Sequence, residues 1–289
     1  MKIGLFGSDY QADKQQFIKK LFDDLTRYGA EIWVEQSFYD YLATKIGYTP
    51  QIQGIISIEN QPVDLVFSLG GDGTFLRAAN WVGRQNIPIL GFNTGHLGFL
   101  ATVGTDEIDA MLGDIFNRRY QIEERSLLQI ASPYPTPHNY ALNEIAFLKR
   151  DTASMISIYT YLNNDYLTEY KADGLLIATP TGSTAYNLSV NGPILVPQSD
   201  NFVLSAVAPH SLNMRSLVIP GNSQLRVCIE SRTHDFLVAL DGRTLDFPSG
   251  TEFSVQKADF TIKVVKRAHQ NFYNTLRKKM FWGTDVRKQ

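Results

Sequence analysis

The chain has 289 residues, 44% hydrophobic and 19% charged, with a formal net charge of −2. That is an ordinary globular balance, with no general electrostatic attraction to nucleic acid or to an anionic membrane. One cysteine, Cys228, excludes an intramolecular disulfide and fits a reducing compartment, and no run of about 18 apolar residues is available to span a bilayer, so a soluble, cytoplasmic protein is expected.

The first third alternates strand and helix signals. KIGLFG (2–7) reads as a short apolar strand closed by glycine. Residues 11–29 follow with helical spacing, placing Phe17, Ile18, Leu21, Phe22 and Leu25 on one face. EIWVE (31–35) is a second strand. DLVFSLG (64–70) is a third, apolar throughout and so expected to be covered on both faces. The turn GGDGT follows, then a helix from about Thr74, then a fourth strand, IPILGFN (87–93). Strands separated by helices imply right-handed crossovers and a parallel sheet, whose ligands bind beyond the C-terminal strand ends. The GGDGT turn lies at such an end.

Past residue 120 the pattern changes to strand-like runs with turn residues between them, from YQIEERSLLQIAS through YALNEIAFLKR and DYLTEYKADGLLIAT to TEFSVQKA and FTIKVVKR. A mostly antiparallel β domain is expected over 121–268, after an α/β domain over 1–120. One helical interruption is expected near 183–191. Residues 269–289 should form a C-terminal helix that packs back on the first domain, with LRKKMFWG as a solvated face. PYPTPH (133–138) is a loop, and Cys228, in the alternating run LRVCIE, reads as a small buried hydrophobe.

Gly70, Gly71 and Gly73 allow backbone N–H groups to approach a ligand closely, and the helix N-terminus beyond them favours negative charge. Together they read as a phosphate cradle. Asp72 complicates it, because a bare carboxylate repels phosphate. Three roles stay open: a helix cap, a hold on a divalent cation, or acceptance of a proton from the group that attacks the phosphate. Thr74 caps the helix on any of these. No P-loop and no G-x-G-x-x-G after the first strand occurs. GFNTGHLGFL (91–100) adds a second glycine-rich loop, with His96 read as a hydrogen-bonding residue. Asn143 and Glu144 stand together in an apolar strand, where a ligand's hydroxyls or an exposed strand end would satisfy them. In 170–193, Asp173-Gly174 is a turn signal, and TPTGSTAYNLS packs hydroxyls around Gly182 and Tyr186, with Ser183 or Thr184 placed to cap a short helix. The five histidines show no metal-ligand spacing, and no G-x-S-x-G elbow occurs.

GGDGT at 70–74, NE at 143–144 and DGLLIATPTGSTAYNLSVNGP at 173–193, in that order, resemble the bacterial NAD kinase family over nearly the whole chain. The resemblance implies an N-terminal α/β domain followed by a β-rich domain. It implies transfer of phosphate from ATP, with a divalent cation, usually Mg²⁺, to the 2′-hydroxyl of the adenosine ribose of NAD. By the same resemblance Asp72 is the catalytic proton acceptor, while Gly70, Gly71, Gly73 and Thr74 approach the phosphates. Asn143 and Glu144 bond ribose hydroxyls. Asp173, Thr181, Thr184, Ala185, Tyr186, Asn187, Leu188 and Ser189 line the NAD pocket, with Arg77 and Lys171 at its edge. It also implies a homodimer or homotetramer in which the 206–220 segment completes a neighbour's NAD site, through Ala208 with His210 close by. The metal's ligands are not implied. Because diacylglycerol and sphingosine kinases share GGDGT, a lipid kinase is one alternative; a dinucleotide-binding sensor without turnover is the other.

Overall fold

The computed structural model describes residues 1–9, 14–56, 62–95, 98–150, 154–267 and 270–283. The chain divides into two compact units, 1–124 with 262–289, and 125–261.

The first unit starts with β1 (Lys2–Gly7), α1 (Gln15–Arg27), β2 (Glu31–Glu35), α2 (Gln36–Tyr41) and β3 (Gly54–Ile56). β4 (Leu65–Gly70), α3 (Asp72–Val82), β5 (Ile89–Asn93), β6 (Val103–Gly104) and α4 (Ile108–Phe116) follow. In α1, Ile18, Leu21, Phe22 and Leu25 form the buried stripe that the periodicity predicts, and Arg27 in the last turn suits the negative end of the helix dipole. The strands pair in parallel in the order β3-β2-β1-β4-β5. β4 and β5 are buried at every position, as expected of parallel strands covered on both faces. The order reverses between β1 and β4, whose C-terminal ends lie side by side: the Ser8 N–H donates to the Leu69 carbonyl at 3.0 Å. Clefts for ligands form at such reversals.

The second unit contains β7 (Gln121–Ala131), whose first residues belong to the first unit, then β8 (Tyr140–Ala141), β9 (Glu144–Lys149), β10 (Ile156–Leu162), β11 (Asp165–Ala172) and β12 (Gly174–Ala178). A single helical turn, Gly182–Thr184, leads into α5 (Tyr186–Ser189). β13 (Asn201–Val207), β14 (Leu217–Pro220), β15 (Leu225–Glu230), β16 (Asp235–Leu240), β17 (Arg243–Pro248) and β18 (Glu252–Lys266) complete the strands, and α6 (Phe272–Met280) ends the fold. Among the described residues of this unit the strands β9–β17 pair antiparallel, as do β7 with β8 and β15 with the start of β18. One sheet runs β14-β13-β12-β9-β16-β17, and β11, β10, β15 and the start of β18 form a second run. Phe147, Ile177, Phe202, Val227, Phe236 and Phe253 fill one core. This is the mostly antiparallel β architecture that the alternating runs imply.

β18 was expected as two strands. It is one, because the in/out alternation breaks at the adjacent exposed residues Gln256 and Lys257 without the chain turning. Its first part pairs antiparallel with β15 and its end pairs in parallel with β5, Val264 beside Ile89. Residues 262–268 therefore group with the first unit. Cys228 is half-buried, since Leu225, Val227 and Ile229 take the inward face of β15 and leave the thiol on the other. Among the described residues no helix is long and apolar enough to cross a membrane.

Candidate active site

Helix α3 begins at Asp72, two residues ahead of Thr74. Gly71 is its N-cap, in extended backbone and with no side chain to cap. Thr74 is the third residue of the helix and buried, and its N–H donates to the Gly71 carbonyl at 3.1 Å. It is not a cap. A helix N-terminus without a side-chain cap favours an anion, and the space above Gly71 and Gly73 is open: a Cβ on either would meet no atom within 4 Å.

Asp72 does not cap its own helix either. Its carboxylate reaches the loop after β5 and accepts three backbone N–H groups, from Phe99 on Oδ2 at 2.9 Å and from Leu100 and Ala101 on Oδ1 at 3.0 Å each. Gly98 packs flat against it, because a Cβ there would overlap the carboxylate. The second glycine-rich loop is thus the clamp that aims Asp72, which sequence reasoning missed. Arg77, half-exposed on α3, donates to the Gly7 carbonyl at 2.6 Å and approaches Glu35 at 3.4 Å, so it sits at the sheet's reversal. His96 lies outside the described residues.

In the second unit Glu144 opens β9 and Asn143 immediately precedes it, 9% and 7% exposed. They are at a strand start, as an exposed end would require, yet they are buried. Asp241, just after β16, explains how. Its Oδ2 accepts the Leu142 N–H at 2.7 Å, and its Oδ1 accepts those of Asn143 at 2.7 Å and Glu144 at 3.2 Å. In return the Asp241 N–H donates to the Glu144 carbonyl at 3.2 Å. Burial pushes the Asp241 carboxyl up, against the pull of those three N–H groups and of Arg243. Asp241 is not among the residues the sequence singles out; its one local signal is a carboxylate that closes the apolar run FLVAL.

Burial raises the Glu144 carboxyl to about 8, the Asp241 charge adds to the rise, and the Tyr186 backbone N–H at the start of α5 opposes it. Glu144 Oε2 is buried without a hydrogen-bond partner. A protonated carboxyl can donate one hydrogen bond and accept others, so this group is suited to a neutral hydroxyl.

The hydroxyl-rich turn is built against the pair. Glu144 lies opposite Ala178 in the β9–β12 ladder, the Thr179 N–H donates to the Asn143 carbonyl at 2.9 Å, and the Thr179 hydroxyl donates to the Leu142 carbonyl at 2.6 Å. Gly182 must be glycine, since a Cβ would overlap the Asn143 carbonyl. Thr181 accepts from the buried Arg125 guanidinium at 3.2 Å. Ala185 is the N-cap of α5, so neither Ser183 nor Thr184 caps it; the Ser183 hydroxyl is bonded to the Pro180 carbonyl and the Leu195 N–H instead. Thr184 and Leu188 are half-buried, and Tyr186 and Ser189 are exposed. Asn187 is fully buried and committed to the fold: its amide donates to the Ser183 and Pro193 carbonyls and accepts from Ser205.

Asp173, Lys171 and Ala208 gather at the other end of β12, roughly 13 Å from the Glu144 end for four residue steps of strand. Asp173 pairs with Lys149 at 2.6 Å and its N–H meets the Val207 carbonyl at 2.9 Å. Lys171 is exposed and lies 3.6 Å from Glu169, and its carbonyl accepts the His210 N–H. Ala208 has φ +43°, an uncommon backbone for alanine.

The chain matches two family models, the ATP-NAD kinase N-terminal domain over residues 3–120 and the ATP-NAD kinase C-terminal domain over 142–267. It is 48% identical over 289 residues to the NAD kinase of Bacteroides fragilis strain YCH46, covering 99% of this chain and 100% of the relative. It is 43% identical over 286 residues to that of Porphyromonas gingivalis strain ATCC 33277, covering 99% of each. Among solved structures, an NAD kinase from Archaeoglobus fulgidus in complex with ATP superposes with a TM-score of 0.79 at 25% identity, covering 97% of this chain and 99% of that one. Yeast NADH kinase complexed with NADH, at a TM-score of 0.89 and 22% identity over 100% of this chain and 90% of that one, agrees in fold. With both domain models matched in order and relatives of this similarity along its whole length, the chain belongs to the ATP-NAD kinase family.

Proposed function

We propose that the chain transfers the γ-phosphoryl group of ATP to the 2′-hydroxyl of the adenosine ribose of NAD, giving NADP and ADP. The observation that carries this reading is Glu144 Oε2, buried and without a partner beside the Thr179–Tyr186 turn. A buried polar atom left unpaired is costly, and a ribose hydroxyl would pair it. Asn143 belongs to the same contact. Thr181, Thr184, Ala185, Tyr186, Leu188 and Ser189 continue the pocket. Asn187 serves it by holding the turn, given its buried amide. Asp173 and Lys171, at the far end of β12, suit the second nucleoside of an extended dinucleotide.

In the step itself the ribose oxygen attacks the γ-phosphorus in line, the bond from phosphorus to the β,γ-bridging oxygen breaks, and ADP leaves with that electron pair. Asp72 takes the hydroxyl proton as the new bond forms. Phosphoryl transition states are loose, so positioning and charge stabilisation carry most of the rate. The open Gly71–Gly73 turn brings N–H groups to the phosphates, and Gly70 and Thr74 shape it. Among the described residues no three of His, Cys, Asp or Glu gather as a metal site. Mg²⁺ keeps its waters and binds through substrate phosphates plus one or two carboxylates. An ion held by the substrate phosphates and its own waters would neutralise charge on the phosphates, and Asp72, whose two oxygens accept N–H groups, is left to the proton.

We take the enzyme to be cytoplasmic and homo-oligomeric, with Ala208 and the 206–220 segment completing a neighbour's site. Leu212, 93% exposed, and the exposed Leu217 and Val218 on edge strand β14 support a surface that a second copy covers.

The test is purified protein with ATP, Mg²⁺ and NAD, and NADP followed by a coupled dehydrogenase. NADP formation is expected. ATP turnover with diacylglycerol and none with NAD, or NAD binding without NADP, would overturn the reading.

A further inference from the structure

The C-terminal helix α6 contacts the loop that clamps Asp72. The Phe272 ring, at the start of α6, packs against Phe99 with ring centroids 5.9 Å apart, and the Lys279 ammonium lies over the same Phe99 ring at 4.6 Å. Phe99 is 8% exposed, and its N–H is the donor to Asp72 Oδ2. Just before the helix, the Gln270 amide donates to the Thr102 carbonyl at 3.0 Å, at the other end of the same loop. Gln270 Oε1 is buried and unpaired, so the side chain is kept there at a cost. Thr275 and Leu276 bury the inner face of α6, and Asn271 caps it by accepting the Asn274 N–H at 2.9 Å. All of these residues lie in the first unit.

From the sheet side Leu100 and Ala101 are buried against β5, where a Cβ on Gly91 would overlap Ala101, so α6 supports the loop from the other end at Phe99. Gly98 cannot carry a side chain, and Gly95 would meet no atom within 4 Å if it did. A cation over an aromatic face adds attraction to the ring packing. A lysine and an aromatic ring are thus placed on the one aromatic residue whose backbone holds the Asp72 carboxylate.

We propose that α6 is a positioning element for catalysis, in which Phe272, Lys279 and Gln270 hold the 99–102 loop so that its N–H groups aim Asp72. The proposal rests on the reading of Asp72 as the proton acceptor. None of the three residues touches the substrate on this reading; each acts through Phe99 or Thr102.

The test is a double-mutant cycle on the full-length protein. Phe272→Ala should lower kcat by about ten- to a hundredfold, the range a small misplacement of a reacting group produces. KM for NAD and for ATP should stay within about twofold. Phe272→Leu, which keeps an apolar contact, should recover most of the rate, and amide hydrogen exchange at Phe99–Ala101 should quicken in the alanine variant alone. In an Asp72→Asn background Phe272→Ala should cost nothing further, since both act on one group. Gln270→Leu, on the other flank, should show the same pattern if Phe272→Ala fails to fold. An unchanged kcat in a folded Phe272→Ala or Gln270→Leu protein overturns the proposal and leaves Asp72 as read. A full additional loss in the Asp72→Asn background overturns it too. If Asp72→Asn keeps the parent kcat, the reading of Asp72 fails and the proposal with it.

Discussion

Gly98 and Asp72, 26 positions apart, occupy one space: the place of a side chain at Gly98 is filled by the Asp72 carboxylate. Gly98→Ala therefore puts a methyl group where the Asp72 carboxylate lies. The carboxylate or the 98–101 loop must move, and kcat should fall by about ten- to a hundredfold with the fold intact. Steady-state kinetics beside a thermal melt checks this. A variant as active as the parent would mean that turnover does not depend on this placement of the carboxylate.

Asp72→Asn keeps size and much of the hydrogen bonding to Leu100 and Ala101 but cannot take a proton. We expect kcat to fall by at least about a hundredfold, the lower end of a general base's usual contribution, with NAD affinity little changed. High Mg²⁺ should not restore turnover; partial recovery would assign Asp72 to the metal. The measurement is kcat across a Mg²⁺ titration, with NAD binding by calorimetry. A fall of less than about tenfold at every concentration would reduce Asp72 to a structural residue.

Glu144 holds its proton to about pH 8 in the folded chain, against an ordinary 4.5. Below 4.5 folded and unfolded chains both carry that proton and its stabilisation is complete. Between 4.5 and about 8 the unfolded chain loses the proton and the folded one does not, so stability drops as pH rises, by up to about 1.4 kcal/mol per pH unit. Glu144→Gln is neutral throughout and removes that slope. Its Tm without ligand should gain on the parent's from pH 5 to pH 8.5, and parallel curves would contradict the raised pKa. Glu144→Ala should raise KM for NAD by roughly ten- to a hundredfold and leave ATP nearly unaffected.

Asp241→Ala leaves the N–H groups of Leu142, Asn143 and Glu144 without their acceptor. Each buried orphan costs about 1–3 kcal/mol, so Tm should drop clearly. Because those residues form the proposed ribose contact, KM for NAD should rise while KM for ATP holds. Asp241→Asn, which retains an acceptor, should be milder in both. A lower Tm with an unchanged NAD constant would make Asp241 a purely structural anchor.

The sequence was most legible where the signal is local. The buried stripe of α1, the all-apolar β4, the glycine turn and the alternating strands of the second unit follow from periodicity and composition. The clamp on Asp72 and the anchor under Glu144 are joined across 27 or more positions, and no local pattern carries them. GFNTGHLGFL showed its glycines but not what they pack against. The start of α3 is legible to within two residues, but Thr74 reads as its cap because glycine at the N-cap leaves no capping side chain to read. β3, with three residues, is too short for an alternation to register. β18 was split because its exposure pattern shifts phase midway, which in most sequences marks a turn.

The path of β18 sets the order in which the chain can finish folding as it leaves the ribosome. Residues 1–124 emerge first, but the parallel neighbour of Ile89 is Val264, and α6 comes later still. Until 137 residues of the second unit have been synthesised, the first unit lacks that strand and the helix that rests on Phe99. Long-range pairing of this kind is slow and leaves strand edges open meanwhile. A nascent chain or fragment that stops before 262 is therefore an unfinished first unit with an available β edge, and a target for chaperones and for misassembly.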